Sequence, residues 1–140
     1  MRRIVRLLML SSLLLTACAH TREASLYAAL GEEAGVRRMI DEVVVELHRD
    51  ARINALFAHT DDAYFKDRLH EQICALSGGG CAYTGLSMEE AHSGMELDVT
   101  DFNYFVEDLR VGMSRAGTPI TAQNRLLALF KPMREQTLHQ

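Results

Sequence analysis

The sequence predicts an all-α fold, on three observations. Apolar residues recur at intervals of three and four along four segments, the spacing that places them on one face of a helix. Serine, threonine and aspartate stand ahead of these segments and glycine stands behind most of them, the residue types that start and stop helices. No two alternating segments are joined by a hairpin-type turn, and there are no internal repeats. At 140 residues the chain forms one domain, long enough to bury a core without help from metals or disulfides.

Taken in order, Ser25 caps a brief helix through Leu26, Tyr27 and Leu30 that Gly31 breaks. Gly35 opens a longer helix with Val36, Met39, Ile40, Val43, Val44 and Leu47 on one face. The valines would also suit a strand, and the length of the pattern decides for helix. Asp50 to Phe57 holds a second brief turn. Asp61 and Asp62 cap the next helix, whose apolar face is Phe65, Leu69, Ile73 and Leu76. Gln72 falls on that face, whereas Lys66, Asp67, His70 and Glu71 are expected on the solvent side. Gly78-Gly79-Gly80 ends the helix. Ser87 caps a short helix carrying Met88 and His92. Thr100 caps a strong pattern of Phe102, Phe105, Val106, Leu109 and Met113 that stops at Gly117. Thr118-Pro119 starts the last helix, which carries Ile120, Leu126, Leu127, Leu129, Phe130 and Met133, and which Pro132 kinks or ends. Four main helices therefore flank one irregular, glycine-rich crossing between the second and the third.

Composition narrows the setting. Apolar residues make up 48% and charged residues 24%, an ordinary globular balance. The net charge is −4 with no basic cluster beyond the extreme N-terminus, which argues against nucleic acid as a partner. Arg2, Arg3 and Arg6 precede a short apolar run from Leu7 to Leu15, and Leu15-Thr16-Ala17-Cys18 follows. The run is too short to span a bilayer and reads as an export signal over residues 1–17. It resembles a bacterial lipoprotein signal, which implies lipidation of Cys18, a tether over 18–24, and a domain over 25–136 facing the periplasm or cell exterior. A plain secretory signal or an uncleaved anchor is the alternative. Losing the three leader arginines takes the charge from −4 to −7. Cys74 and Cys81 then remain, flanking the glycine run, either as a disulfide formed in an oxidising compartment or as two separate thiols. Their spacing is not C-x-x-C, and there is no C-x-x-C-H for covalent haem.

The stretch Gly78–Met95, GGGCAYTGLSMEEAHSGM, carries the chemistry. Ala91, Ser93 and Gly94 surround His92 and leave one side of its imidazole open to a bulky group. Taken alone, such a histidine is more often structural than a ligand. His48 and His59 sit near helix ends, where a cation suits the dipole, and His20 and His139 lie in the terminal segments. Arg68 reads equally as a surface charge or an anion partner, and Met88 and Met95 as core methionines. No nucleophile–base pair or paired-carboxylate site is present.

With these residues in view, the chain resembles the group I truncated haemoglobins, small two-over-two helical globins. The resemblance covers about residues 25–134. Its pieces are Leu26-Tyr27, Leu30-Gly31, Asp50, Arg52-Ile53, Phe57, Gln72-Ile73-Cys74, Tyr83-Thr84-Gly85, Met88, Ala91-His92-Ser93-Gly94-Met95, Asp101-Phe102, Gln123-Asn124, Leu126-Leu127 and Pro132-Met133. The resemblance implies the truncated two-over-two globin fold, haem b as cofactor, and His92 as the proximal iron ligand. It implies haem contacts at Phe57, Tyr83, Met88 and Phe102, and a propionate partner at Arg68. Distal-pocket positions fall on Val44, Phe65, Leu69, Gln72 and Ile73. Two departures stand out: Gly80 replaces a frequent proline, and Glu32 replaces a second glycine. The distal side also departs, with Val44 where a tyrosine is usual, so that Gln72 is the one polar side chain on the haem-facing stripe.

Three functions follow as expectations: a module that reversibly binds dioxygen or another diatomic gas as carrier, store or sensor; a haem enzyme for nitric oxide detoxification or peroxidase-like chemistry, served by an unknown reductase; and a cofactor-free structural lipoprotein. The first is preferred, because the distal stripe is largely apolar and no flavin or nicotinamide motif accompanies it. Membrane contact would be through the lipid anchor alone.

Overall fold

A computed structural model of the chain describes residues 24–138 and 140. The expected signal over 1–17, Cys18, most of the tether including His20, and His139 lie outside the described residues.

Eight α-helices follow one another among the described residues: α1 (Leu26–Ala29), α2 (Glu32–Arg49), α3 (Asn54–Phe57), α4 (Asp62–Ser77), α5 (Met88–Ala91), α6 (Val99–Arg115), α7 (Ile120–Phe130) and α8 (Arg134–Thr137). A 3₁₀ turn over Lys131–Met133 links the last two, with Pro132 inside it. The four long helices are α2, α4, α6 and α7, and the irregular crossing runs from Gly78 to Ser87 between α4 and α5.

The ends of these helices show how local sequence sets them. Ser25 accepts from the Ala28 N–H at the start of α1, and Asp61 accepts from the Tyr64 N–H at the start of α4. Ser87 and Glu90 close a capping box on α5, so Glu90 secures a helix end rather than merely facing water. Three boundaries move from expectation. Helix α2 begins at Glu32, three residues ahead of Gly35. Helix α6 is capped by Asp98 with Asp101, not by Thr100, because a carboxylate two residues earlier reaches both Thr100 and Asp101 N–H groups. Helix α5 stops at Ala91, and His92 is its C-cap.

The core forms where α2 crosses α6 and α4. Val36, Met39, Ile40, Val43 and Leu47 of α2 meet Leu109 and Met113 of α6 and Ile73 of α4, each at most 1% exposed. Helices α2 and α6 approach one another closely at Gly112. A Cβ there would stand 2.7 Å from the Val43 Cα, so any side chain would force the helices apart. Burying side chains of this size stabilises the fold by about 1.5–3 kcal/mol each.

His70 is a correction. It is 8% exposed, inside rather than on the solvent side, and its Nε2 has no partner among the described residues. Helix α4 packs against α2, α1 and α7, so its buried arc is wider than the single stripe that the sequence pattern marks. Val44 and Ile73, expected in the distal pocket, are 4% and 0% exposed members of this core. The packed region also runs past residue 136, since Thr137 and Leu138 are buried and Gly94 N–H donates to the Gln140 carbonyl.

Candidate functional site

A cavity of about 360 Å³ opens between α4 on one side and α5, α6 and the C-terminal turn on the other. That volume lies in the range of cofactor and ligand sites, roughly 300–1,000 Å³. Phe57 of α3 and Phe65, Leu69 and Gln72 of α4 form one wall. Met88, His92, Leu97, Phe102 and Phe105 form the facing wall, and Tyr83 and Leu86 of the crossing close one end. Phe57 and Phe65 meet at a ring separation of 5.8 Å and a tilt of 55°, a favourable aromatic arrangement.

The expected haem contacts Phe57, Arg68, Tyr83, Met88, His92 and Phe102 thus all line one cavity, with Phe65, Leu69 and Gln72 opposite. Val44 and Ile73 do not line it. Both are buried members of the hydrophobic core. Sequence reasoning missed Leu97 and Phe105 as walls, although Phe105 belongs to the apolar pattern of α6.

His92 is held by its own helix. Its Nδ1 lies 2.7 Å from the Met88 carbonyl oxygen, so Nδ1–H is the donor and Nε2 is left with a free lone pair. This is the tautomer that binds a metal through Nε2, with the carbonyl fixing the ring. The C-cap position places the ring beyond the last turn of α5, where Ser93 and Gly94 add no bulk.

Gln72 is 9% exposed. Its Nε2 lies 3.5 Å from the Met88 Sδ and 3.8 Å from the Met133 Sδ. Thioethers are weak acceptors, so this amide is lightly committed.

Arg68 is the one arginine or lysine in the wall. Its Nη1 and Nη2 each lie 2.8 Å from the Glu71 carboxylate, and Nη1 also donates to the Thr84 hydroxyl at 2.9 Å. Its buried Nε has no partner among the described residues. The Thr84 N–H, above all, and then its hydroxyl and Arg68 hold the Glu71 carboxyl below the usual range. The Tyr83 hydroxyl donates to the Leu86 carbonyl at 2.9 Å, and burial pushes its acidity down, raising its pKa. Cys74 and Cys81 are bonded, with Cα atoms 5.6 Å apart. No helix among the described residues is long and apolar enough to cross a membrane.

These walls fit a flat apolar macrocycle. No group of three or more histidine, cysteine or acidic side chains that could hold a metal ion alone exists among the described residues. His92 would hold the iron of such a macrocycle through its Nε2. The aromatic and aliphatic walls would hold its faces, and the unpartnered Arg68 Nε offers a donor to an anionic edge group.

Residues 25–139 match the family model described as bacterial-like globin. A group 1 truncated hemoglobin of Tetrahymena pyriformis is 25% identical over 114 residues, covering 81% of this chain and 94% of that protein. One from Nostoc commune is 24% identical over 106 residues, covering 76% and 88%. In structure, the chain is similar to the Tetrahymena pyriformis truncated hemoglobin in its Fe(III) form, at a TM-score of 0.79 with 24% identity, over 84% of this chain and all of that one. The 2/2 hemoglobin of a Synechococcus species, solved in the cyanomet state with covalently attached heme, gives 0.76 over 82% and 98% at 24% identity. The fold is the truncated two-over-two globin fold. The chain belongs to the bacterial-like globin family, and with that family come haem as its cofactor and a diatomic gas as its ligand.

Proposed function

We propose that this is a group I truncated haemoglobin that binds haem b through His92 and reversibly takes up dioxygen, or another diatomic gas, on the side of Phe65, Leu69 and Gln72. One observation carries the assignment of the ligand: His92 lines the cavity with Nδ1 committed to the Met88 carbonyl. Haem, when bound, would supply an iron that takes up the gas, with His92 holding it. The protein's part is to fix the ring, exclude water and set the polarity around the gas.

Asp61, Tyr64 and Arg68 line the cavity from α4 and its cap. Carrier, store or sensor is favoured over turnover because two of the cavity-lining distal positions, Phe65 and Leu69, are hydrophobic and the third, Gln72, is a lightly held amide. A peroxidase-like or nitric oxide-consuming reaction calls for donors or proton carriers there. The absorption spectrum of the purified protein tests the reading. An intense Soret band that is lost in His92→Gly, and restored by added imidazole, is the expected result. Haem retained in a five-coordinate ferrous form by the unrescued variant would assign the ligand elsewhere.

The leader supports a location. Arg2, Arg3, Arg6 and the short apolar run ahead of Cys18 support export with lipid attached to Cys18, and the membrane is then a partner through that anchor alone. Cys18→Ser should move the processed protein from the membrane fraction to the soluble one. Full membrane retention after correct processing would overturn the lipoprotein reading.

A further inference from the structure

Two independent ties join α4 to the crossing that closes the cavity. The first is the Cys74–Cys81 disulfide. Cys74 is wholly buried on α4, while Cys81 is exposed on the crossing. The second is a polar clasp three residues further on. The Glu71 carboxylate accepts from the Thr84 N–H at 3.2 Å and from its hydroxyl at 3.1 Å. Arg68 braces both partners from the same helix. Between the two ties stands Tyr83, a wall of the cavity, and just after them Leu86, another. The Tyr83 ring lies against Gly85, where a Cβ would come within 2.8 Å of its Cε2. Cys81 to Leu86 is therefore a strap, pinned to α4 at Cys81 and Thr84.

We propose that the strap is a redox-controlled latch on the haem: the disulfide form retains the cofactor, and reduction by a dithiol slackens the strap and speeds cofactor loss. The proposal rests on the haem reading above and adds a regulator to the same site. Accessibility sets the course of reduction. A reductant thiolate attacks the exposed Cys81 sulfur, the bond to Cys74 breaks, and Cys74 leaves as a thiolate that takes up a proton. The reductant's second thiolate then attacks the mixed disulfide and releases Cys81. Overall the protein gains two electrons and two protons, and the dithiol becomes a disulfide.

After reduction Glu71 and Thr84 still hold the far end, so the fold survives while the near end is freed. The freed span is Gly78 to Ala82. It includes Gly80, whose φ of +80° only glycine adopts without strain. The strap then rests on exposed hydrogen bonds, which open far more readily than a covalent link.

The test measures haem transfer from the loaded protein to an excess of a high-affinity apo-globin, with and without dithiothreitol. Removing one covalent closure should speed release by roughly tenfold or more in wild type. Cys74→Ser/Cys81→Ser should release haem at the fast rate in both conditions. Thr84→Val should enlarge the effect of reduction, since it weakens the tie that remains. A second readout needs no haem: chymotrypsin should cut after Tyr83 or Leu86 sooner in reduced apo-protein than in oxidised apo-protein. Equal haem release by oxidised and reduced wild type overturns the latch, as does acceleration by dithiothreitol that persists in the double serine variant. Absence of a Soret band in every form would instead reject the haem reading, and the proteolysis comparison would still decide whether the disulfide holds the strap.

Discussion

The Nδ1 of His92 and the carbonyl oxygen of Met88 stand 2.7 Å apart across the last turn of α5. That contact both orients the imidazole and chooses its tautomer, because a carbonyl can only accept. The same carbonyl also accepts from the His92 backbone N–H at 3.2 Å, so it ties both the ring and the main chain of this residue to the end of the helix.

The first prediction concerns that bond's strength. Met88→Leu keeps the backbone carbonyl and should keep haem with at most a few-fold loss. His92→Ala removes the nitrogen itself and should reduce retention at least about a hundredfold, consistent with the several kcal/mol that a metal–imidazole bond contributes. Haem titration followed at the Soret band compares the two. Equal affinities would show that the apolar walls alone hold the cofactor.

Much of this arrangement was legible in the sequence. Helical periodicity marked α2, α4, α6 and α7 because each buries one apolar stripe. The resemblance, not the periodicity, pointed to Phe57, Tyr83, Met88, His92 and Phe102 as one site, and they line one cavity. Periodicity put His70 on the solvent side, because a stripe does not say how many neighbours a helix meets; the resemblance put Val44 and Ile73 in the distal pocket, and both are members of the core. Leu69 and Gln72, on the same helix as Ile73, meet the cavity. The polar links of the strap from Arg68 and Glu71 to Thr84 span 13 to 16 residues, and no local pattern encodes them. Gly80 was visible as part of the glycine run that ends α4 and as a departure from proline. Its φ of +80° supplies the reason, since a proline ring requires about −65°.

A second prediction comes from the other departure. Glu32 has a φ of +55°, a left-handed conformation that costs an L-residue about 1–2 kcal/mol. Glycine relieves the strain, and part of the gain is offset by the freer unfolded chain. Glu32→Gly should therefore raise the unfolding free energy by up to about 1 kcal/mol, read from urea denaturation. A loss of stability would mean that the carboxylate at the start of α2 matters more than the backbone.

His70 gives a third prediction, in pH. Burial first, and then the Arg37 charge, lower its pKa from the ordinary histidine value. The unfolded chain consequently takes up a proton near pH 6.5, before the folded protein does. Stability is unaffected above that pH and falls as the pH drops below it toward the folded-state value. Asp108 acts oppositely, because burial first, and then the Asp50 charge, raise its pKa. The difference between wild type and His70→Leu isolates the histidine. The variant should lose less stability between about pH 6.5 and 5 than wild type does. Parallel pH profiles would place the acid sensitivity elsewhere.

The last prediction concerns the choice of gas. Phe65 and Leu69 offer no hydrogen bond, and Val44 lies in the core rather than at the cavity wall. Gln72 is the one side-chain amide in the wall, and its N–H groups rest on the sulfurs of Met88 and Met133 at 3.5 and 3.8 Å. Such soft acceptors hold an amide weakly, so a better acceptor can recruit it. Of the two gases, dioxygen gains more from a nearby donor, because negative charge collects on its outer atom, whereas carbon monoxide gains little. A neutral hydrogen bond contributes about 0.5–1.5 kcal/mol, equivalent to roughly two- to tenfold in a dissociation rate. Wild type should therefore release dioxygen quickly and show a low preference for it over carbon monoxide. Gln72→Leu should speed dioxygen release by about two- to tenfold while leaving carbon monoxide release nearly unchanged. Stopped-flow displacement of dioxygen by carbon monoxide measures the first rate, and displacement of carbon monoxide by nitric oxide the second. Slow dioxygen release that survives Gln72→Leu would mean that a donor other than Gln72 serves the gas.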